Sequence, residues 1–282
     1  MKSDSKRLIL VLGPTAVGKT DKAIELAKSF QCPIISCDSR QVYKELNIGV
    51  AKPDNSQLDA VKHYFISHVS IHQSYDAGKF AEEARNLSNE LFETHDTIVV
   101  CGGTGLYVKA FVEGLDSLPA KDESLREELN ELLKSDGLVA LQQKLRSIDE
   151  ERYHKTEILN PQRLIRAIEI AMAKTNHNSE LPAFKHQFIT ETMILQLDRP
   201  ALYDRINRRV DNMIDQGLEE EARAMYPHRH LNALQTVGYK EWWPYFEGEY
   251  DRETAIDKIK QHTRNYAKRQ ITWFKKSHND SV

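Results

Sequence analysis

At 282 residues, with 40% hydrophobic and 29% charged side chains, the chain can build one substantial core plus a smaller satellite domain, as a soluble globular protein does. No apolar stretch approaches membrane-spanning length, and only five apolar residues separate the charged start from Gly13-Pro14, too few for a signal-peptide core; a cytoplasmic protein with no membrane partner is expected. The formal net charge of −3 argues against a nucleic-acid partner only on average, because the cations are unevenly placed.

The first apolar run, 8–12, leads into Gly13-Pro14-Thr15-Ala16-Val17-Gly18-Lys19-Thr20, and the spacing of Ala23, Ile24, Ala27 and Phe30 predicts a helix over 21–30. Strand, glycine-rich loop and helix in that order form a phosphate cradle. Its amides and helix N-terminus face the anion, Lys19 adds a point charge, and the Thr20 hydroxyl is placed to hold Mg²⁺. A glycine turn that merely joins strand to helix is the alternative. An NTPase would also need a carboxylate at its partner strand to complete the metal site. The run 97–100 ends instead in Cys101-Gly102-Gly103, and 193–197 ends in Asp198-Arg199-Pro200, a poor candidate.

The run 33–37 does end in a carboxylate, Asp38, followed by Ser39, Arg40 and Gln41. Polar residues directly after a buried strand lie at the carboxyl edge of an open α/β sheet, where ligands bind. The same four residues have the D-x-x-Q form of a helix N-cap. Strands near 8–12, 33–37, 97–101 and 193–197 predict an α/β fold, a P-loop-containing parallel sheet flanked by helices.

Between about 118 and 190 strand signals stop. Leucines at 125, 129, 132 and 133 predict a helix over 122–134, followed by others over 138–145 and 161–174. The expected domains are a core of 1–117 with 191–282 and a helical insertion over 118–190, with 176–184 as a flexible linker. Helices resume over 203–214 and 219–226. From 258 to 276 there are seven Lys or Arg and no Asp or Glu. Lys260, Arg264, Lys268 and Lys275 share one helical face, and Ile259, Tyr266 and Trp273 another; a solvated amphipathic helix or a nucleic-acid contact fits equally. Cys32, Cys37 and Cys101 lack paired metal spacing and are expected as buried free thiols.

Six segments, in this order and at these spacings, resemble those of the tRNA dimethylallyltransferase (isopentenyltransferase) family. They are Gly13 to Thr20; Ser36 to Tyr43 with Gly49-Val-Ala-Lys-Pro53; Gly102-Gly-Thr-Gly-Leu-Tyr107; Asn160-Pro-Gln-Arg-Leu-Ile-Arg166-Ala-Ile-Glu169; Gly238-Tyr-Lys-Glu241; and Thr263-Arg-Asn-Tyr-Ala-Lys-Arg-Gln-Ile-Thr-Trp273. Val17 and Cys37 depart from the commoner serine and alanine or valine. No C-x₂-C…H-x₃₋₅-H pattern follows the terminal helix, so the chain looks bacterial in type.

The resemblance implies transfer of a dimethylallyl group from dimethylallyl diphosphate to N6 of the adenosine 3′ of the tRNA anticodon, with Mg²⁺. Diphosphate is then the leaving group, which accounts for the missing hydrolytic carboxylate. Residues 13–20 with Arg205 and Arg209 would bind diphosphate, and Thr20 the metal. Thr15 would touch the donor near the bridging oxygen or merely shape the loop. Asp38 would be the base for a poorly nucleophilic amine, worth ~10²–10⁴-fold, or only a cap. Arg205 and Arg209, at i and i+4, would clamp diphosphate or stand as solvated surface arginines. The anticodon stem-loop would meet Asp38, Ser39, Arg40, Gln41, Thr104, Gln162, Arg163, Arg166, Gly238, Tyr239, Lys240, Arg264, Lys268 and Arg269; Thr104 as a tight connection, and Arg163 and Arg166 as exposed helix residues, are the alternatives. A monomer is expected. The rival readings are a small-molecule P-loop kinase, a prenyltransferase acting on free adenine nucleotides, and an NTP-dependent RNA-binding switch.

Overall fold

A computed structural model describes residues 6–115, 119, 122–173 and 188–279. The chain divides into two compact units, Met1–Gly114 with Ala183–Val282, and Leu115–Pro182. The first is built on a parallel sheet of five strands, β1 (Arg7–Leu12), β2 (Ile34–Ser36), β3 (His63–Tyr64), β4 (Thr97–Gly102) and β5 (Ile189–Ile194), in the order β3-β2-β4-β1-β5. Leu8 to Leu12 are all buried, as a central parallel strand covered on both faces must be. Arg7 to Leu12 pair in register with Thr97 to Gly102 on one side and Ile189 to Ile194 on the other.

Helices α1 (Lys19–Phe30), α2 (Asn55–Ala60), α3 (Ala77–Leu91) and α4 (Gly105–Val112) alternate with the first four strands. Ala23, Ile24 and Ala27 of α1 pack on Ile9, Val11, Ile34 and Val99, the apolar spacing that marked the helix in the sequence. The fifth strand lies four residues earlier than its expected start. It is a half-exposed edge strand whose Thr190-Glu191-Thr192 centre carries no apolar signal, so the apolar run drew the expectation onward. Pairing persists one residue further, Leu195 N donating to Leu12 O at 2.8 Å. Leu197 instead packs against Leu202 and Ile206, and Asp198 is a helix N-cap accepting from Ala201 N at 3.3 Å.

The second unit holds α5 (Glu123–Ile148), α6 (Glu150–Lys155) and α7 (Pro161–Met172). Gly137, at φ 76°, breaks α5 where the leucine pattern changes. Leu129, Leu141, Leu145, Leu164, Ile165 and Ile168 form its core. Asn160 caps α7, accepting from Gln162 N and Arg163 N at 3.1 and 3.2 Å ahead of Pro161. Asn176 and the rest of the expected linker lie outside the described residues.

The chain returns to the first unit as α8 (Arg199–Asp215), α9 (Leu218–Met225), the short α10 (Trp243–Phe246) and the long terminal α11 (Arg252–Asn279). Ala255, Ile259, Ala267, Gln270 and Phe274 form the buried side of α11. Among the described residues no helix is long and apolar enough to cross a membrane.

Candidate active site

The carboxyl ends of β1, β2 and β4 open into a cleft of about 950 Å³, closed on the far side by α8 and α11. The phosphate cradle forms its floor. Gly13 takes φ 146° and approaches β5 so closely that a Cβ there would fall 2.7 Å from Leu195 O. Gly18, at φ 101°, precedes α1 and offers no side-chain cap, so the first helical amides are free for an anion. Lys19 Nζ donates to Pro14 O at 2.7 Å, closing the loop on itself. Burial pushes the Lys19 ammonium down to about 8, against the opposing pull of Cys101 and Asp38.

Two arginines from α8 face this loop. Arg209 Nη1 donates to the Thr15 hydroxyl at 3.3 Å, and the Arg205 guanidinium lies 3.6 Å from where a Gly18 Cβ would stand. Both members of the i, i+4 pair therefore stand beside the cradle, Arg209 half-buried and Arg205 exposed to solvent. Burial lowers the Arg209 pKa, with Asp38 opposing and Arg205 reinforcing the shift.

Asp38 stands at the end of β2 on the same cleft. Its Oδ1 accepts from Arg40 N at 2.8 Å and Gln41 N at 3.2 Å. These bonds cap a turn, not a helix, because the chain is drawn at once into extended pairing, with Tyr43 bridging to Val69 and His68 N bonding Val42 O at 2.7 Å. Nor is there a capping box. Gln41 donates to Val50 O and Ala51 O at 3.3 and 2.9 Å and accepts from Ser36 Oγ, so it supports the neighbouring turn. Thr104 Oγ1 accepts from Ser39 N at 3.1 Å, tying the turn after β4 to the residue beside Asp38. Tyr266 of α11 completes this side; burial first, then the Asp38 charge, pushes its phenol up to about 12.

The IPP transferase family model matches residues 41–277. The chain belongs to this family. It is 48% identical over 275 residues to a protein named tRNA dimethylallyltransferase from Christiangramia forsetii, covering 96% of this chain and 91% of that one. A relative of the same name from Cytophaga hutchinsonii is 46% identical over 280 residues, at 96% and 90% coverage. Among solved structures, the tRNA isopentenylpyrophosphate transferase of Bacillus halodurans superposes with a TM-score of 0.68 at 36% identity, covering 96% of this chain and 87% of that one. A eukaryotic dimethylallyltransferase captured acting on tRNA gives 0.76 at 26% identity, at 95% and 70% coverage.

The other residues matching the family's motifs are spread more widely. Gly238 and Tyr239, expected at the RNA, are buried in the first unit. Tyr239 is 0% exposed, lies against Gly49 and donates to Glu221 Oε1, the carboxylate that also receives the amides of residues 47, 48 and 49. Its side chain props the turn that carries Ile48 into the cleft and does not reach solvent. Lys240 is exposed. Arg40 donates to Asn232 O and Ala233 O, and Arg264 to Asn207 Oδ1 at 2.7 Å. Lys260 pairs with Asp211, so half of the expected basic row faces α8, whereas Lys268, Arg269 and Lys275 stand exposed. In the second unit Gln162 and Arg163 are exposed, and Arg166 is bonded to the buried Glu169 and to Pro119 O.

Several cleft residues have no site role in the sequence, among them Tyr266, Gln270 and Arg208. Tyr266 and Gln270 lie within the terminal motif, and Arg208 lies next to Arg209 on α8. Gln270 left a signal, since it is a polar residue in register with Ala267 and Phe274 on the buried face. Cys32 and Cys37 are buried as expected, while Cys101 is only half-buried and lines the cleft; burial pushes its thiol up to about 12, so it stays neutral. Among the described residues no cluster of three His, Cys, Asp or Glu could cage a metal. The donor set, a Thr20 hydroxyl beside an anion cradle, fits a divalent cation carried mainly on diphosphate oxygens and water.

Proposed function

We propose that this chain transfers the dimethylallyl group of dimethylallyl diphosphate to N6 of the adenosine at tRNA position 37, just 3′ of the anticodon, releasing diphosphate. The observation that carries this reading is the sharing of one cleft by Asp38 and the phosphate cradle, whose neighbouring strand β4 ends in Cys101-Gly102 with no hydrolytic carboxylate. A kinase or hydrolase would need to hold an attacking group over a terminal phosphate. In this reading the reacting atom is the carbon on the bridging oxygen of the diphosphate, and Asp38, on the same cleft, would take the proton of the incoming amine.

In the transfer, a bond forms between N6 and the allylic carbon while the carbon–oxygen bond breaks, its electron pair leaving on diphosphate. The N6 proton passes to Asp38, whose two turn hydrogen bonds both use Oδ1 and leave Oδ2 to receive it. The loop amides, Lys19, Arg205 and Arg209 stabilise charge that grows on the leaving oxygen, which favours the transition state over the ground state. Thr15 accepts from Arg209, so its own hydroxyl hydrogen is free to point at the bridging oxygen. Mg²⁺ held beside Thr20 would supply further neutralisation of the diphosphate.

The anticodon loop suits such a site because its bases are single-stranded and cost only a few kcal/mol to extrude. Ser39, Gln41 and Thr104 flank the acceptor position, with Lys240, Lys268 and Arg269 available to phosphates and Gln162 and Arg163 exposed on the second unit. The enzyme is taken to act in the cytoplasm as a monomer, with 1–117 and 191–282 as its core domain and 118–190 as a helical insertion. The test is incubation with dimethylallyl diphosphate, Mg²⁺ and unmodified tRNA, followed by nucleoside mass spectrometry; prenylated adenosine at position 37 is expected. Brisk ATP consumption with unaltered tRNA would favour the kinase or switch readings and overturn this one.

A further inference from the structure

Gln270 comes from the terminal helix, 6% exposed, and reaches across the head of the sheet. Its Oε1 accepts from Thr15 N at 2.8 Å, and its Nε2 donates to Gly103 O at 2.9 Å. One end of the amide therefore holds the donor loop, 255 residues away in sequence. The other holds the turn after β4, whose next residue, Thr104, binds Ser39 beside Asp38. Gly103 is required for the approach, because a Cβ there would fall 2.3 Å from Gln270 Nε2.

The chemistry of the position is narrow. The side chain must accept a hydrogen bond at one tip and donate one at the other, about a side-chain amide's width apart. Glutamate keeps the acceptor but loses the donor, and adds a charge of the same sign as the diphosphate. Methionine matches the length and keeps the packing with neither bond. Thr15 N is also one of the loop amides, and Gln270 turns it away from the anion, which leaves Thr15 to meet the donor through its hydroxyl.

We propose that Gln270 is a positioning residue for the transfer: it fixes the separation between the carbon carried over the phosphate cradle at Thr15 and the amine received at Asp38 and Thr104. The proposal rests on the transfer reaction inferred above. In-line displacement depends steeply on that separation, since a misplacement of about 1 Å can cost ~10²-fold.

The full chain and its Gln270→Met and Gln270→Glu variants are compared for steady-state prenylation of unmodified tRNA, for KM of donor and tRNA, for diphosphate released per prenyl group transferred, and for Tm. The expected result for Gln270→Met is a kcat lowered ~10–100-fold with both KM values within a few-fold of wild type. Tm should stay near wild type, and diphosphate release should exceed transfer because water competes for the misaligned carbon. Gln270→Glu should lose kcat too and raise the donor KM. Wild-type kcat in Gln270→Met, a loss confined to KM, or failure of both variants to fold would overturn the proposal. Absence of prenylation by the wild type would instead remove the reaction on which it rests.

Discussion

Lys19 Nζ is bonded to Pro14 O across the turn of its own loop, 2.7 Å away, and burial has lowered its pKa to about 8. The donor-free enzyme thus holds the cation proposed to bind the diphosphate close to the point of losing its proton. Below about pH 8 the ammonium is charged and can turn to the diphosphate; above it the neutral amine cannot. We expect kcat/KM for dimethylallyl diphosphate to be level below pH 8 and then to fall about tenfold per pH unit. The kcat limb should stay level to a higher pH, because bound diphosphate favours the charged lysine. A donor-side pH profile without a break before pH 10 would contradict this account.

Asp38 carries a structural load beside the chemical one proposed for it. Its Oδ1 accepts two amides, a role that asparagine can keep through its own carbonyl oxygen. Asp38→Asn should therefore fold and retain tRNA while losing ~10²–10⁴-fold in kcat. Asp38→Ala loses the cap as well, adding ~1 kcal/mol of destabilisation. Filter binding, single-turnover prenylation and thermal melts separate the two effects; parallel loss of tRNA retention and turnover in Asp38→Asn would assign the residue to the turn alone.

The bond from Arg209 to Thr15 predicts a different signature. A guanidinium can bond the Thr15 hydroxyl and a phosphate oxygen together, whereas an ammonium in its place is a shorter point charge. Arg209→Lys should keep the charge and still lower donor kcat/KM by ~10–100-fold, with tRNA affinity near wild type. Equal loss for donor and tRNA would mean that α8 itself had shifted.

On α11 the exposed cations are separable from the engaged ones. Lys268→Ala and Arg269→Ala should each weaken tRNA retention and reduce the slope of log affinity against log salt by about 0.7–1. Lys260 pairs with Asp211 at 2.6 Å, so Lys260→Ala should leave that slope nearly unchanged. Titrations of tRNA binding over a range of salt concentrations distinguish them.

Much of this was legible in residue spacing. The cradle, the buried strands and the leucine-rich helices follow from apolar period and glycine placement, and the break at Gly137 falls between two predicted helices. The edge strand β5 was misplaced because half its residues face outward and its centre is polar. The two-residue β3 is too short to show a period. Site residues separated along another line. Asp38, Lys19 and Arg209 could be read because they sit beside local motifs. Gln270 and Glu221 act on backbone groups far away in sequence, and periodicity holds no record of which distant amide a side chain will meet. The resemblance set Tyr239 at the RNA, whereas its ring is buried against Gly49, a contact that residue spacing does not record.

That last packing relationship can be measured directly. A Cβ on Gly49 would fall 2.6 Å from Tyr239 ring carbons, and the ring cannot retreat because its hydroxyl is bonded to Glu221 and it is fully buried. Gly49→Ala should cost about 1–3 kcal/mol by overpacking, lowering Tm by several degrees. Tyr239→Phe removes only the hydroxyl, leaving Glu221 its three backbone amides, and should cost about 1–3 kcal/mol for a bond to a charged acceptor. Because this turn carries Ile48, Val50 and Ala51 along the cleft wall, both changes should raise the donor KM more than they alter the salt dependence of tRNA binding. A Tyr239→Phe protein with wild-type Tm and donor kinetics, but with a reduced salt slope, would return Tyr239 to the RNA surface.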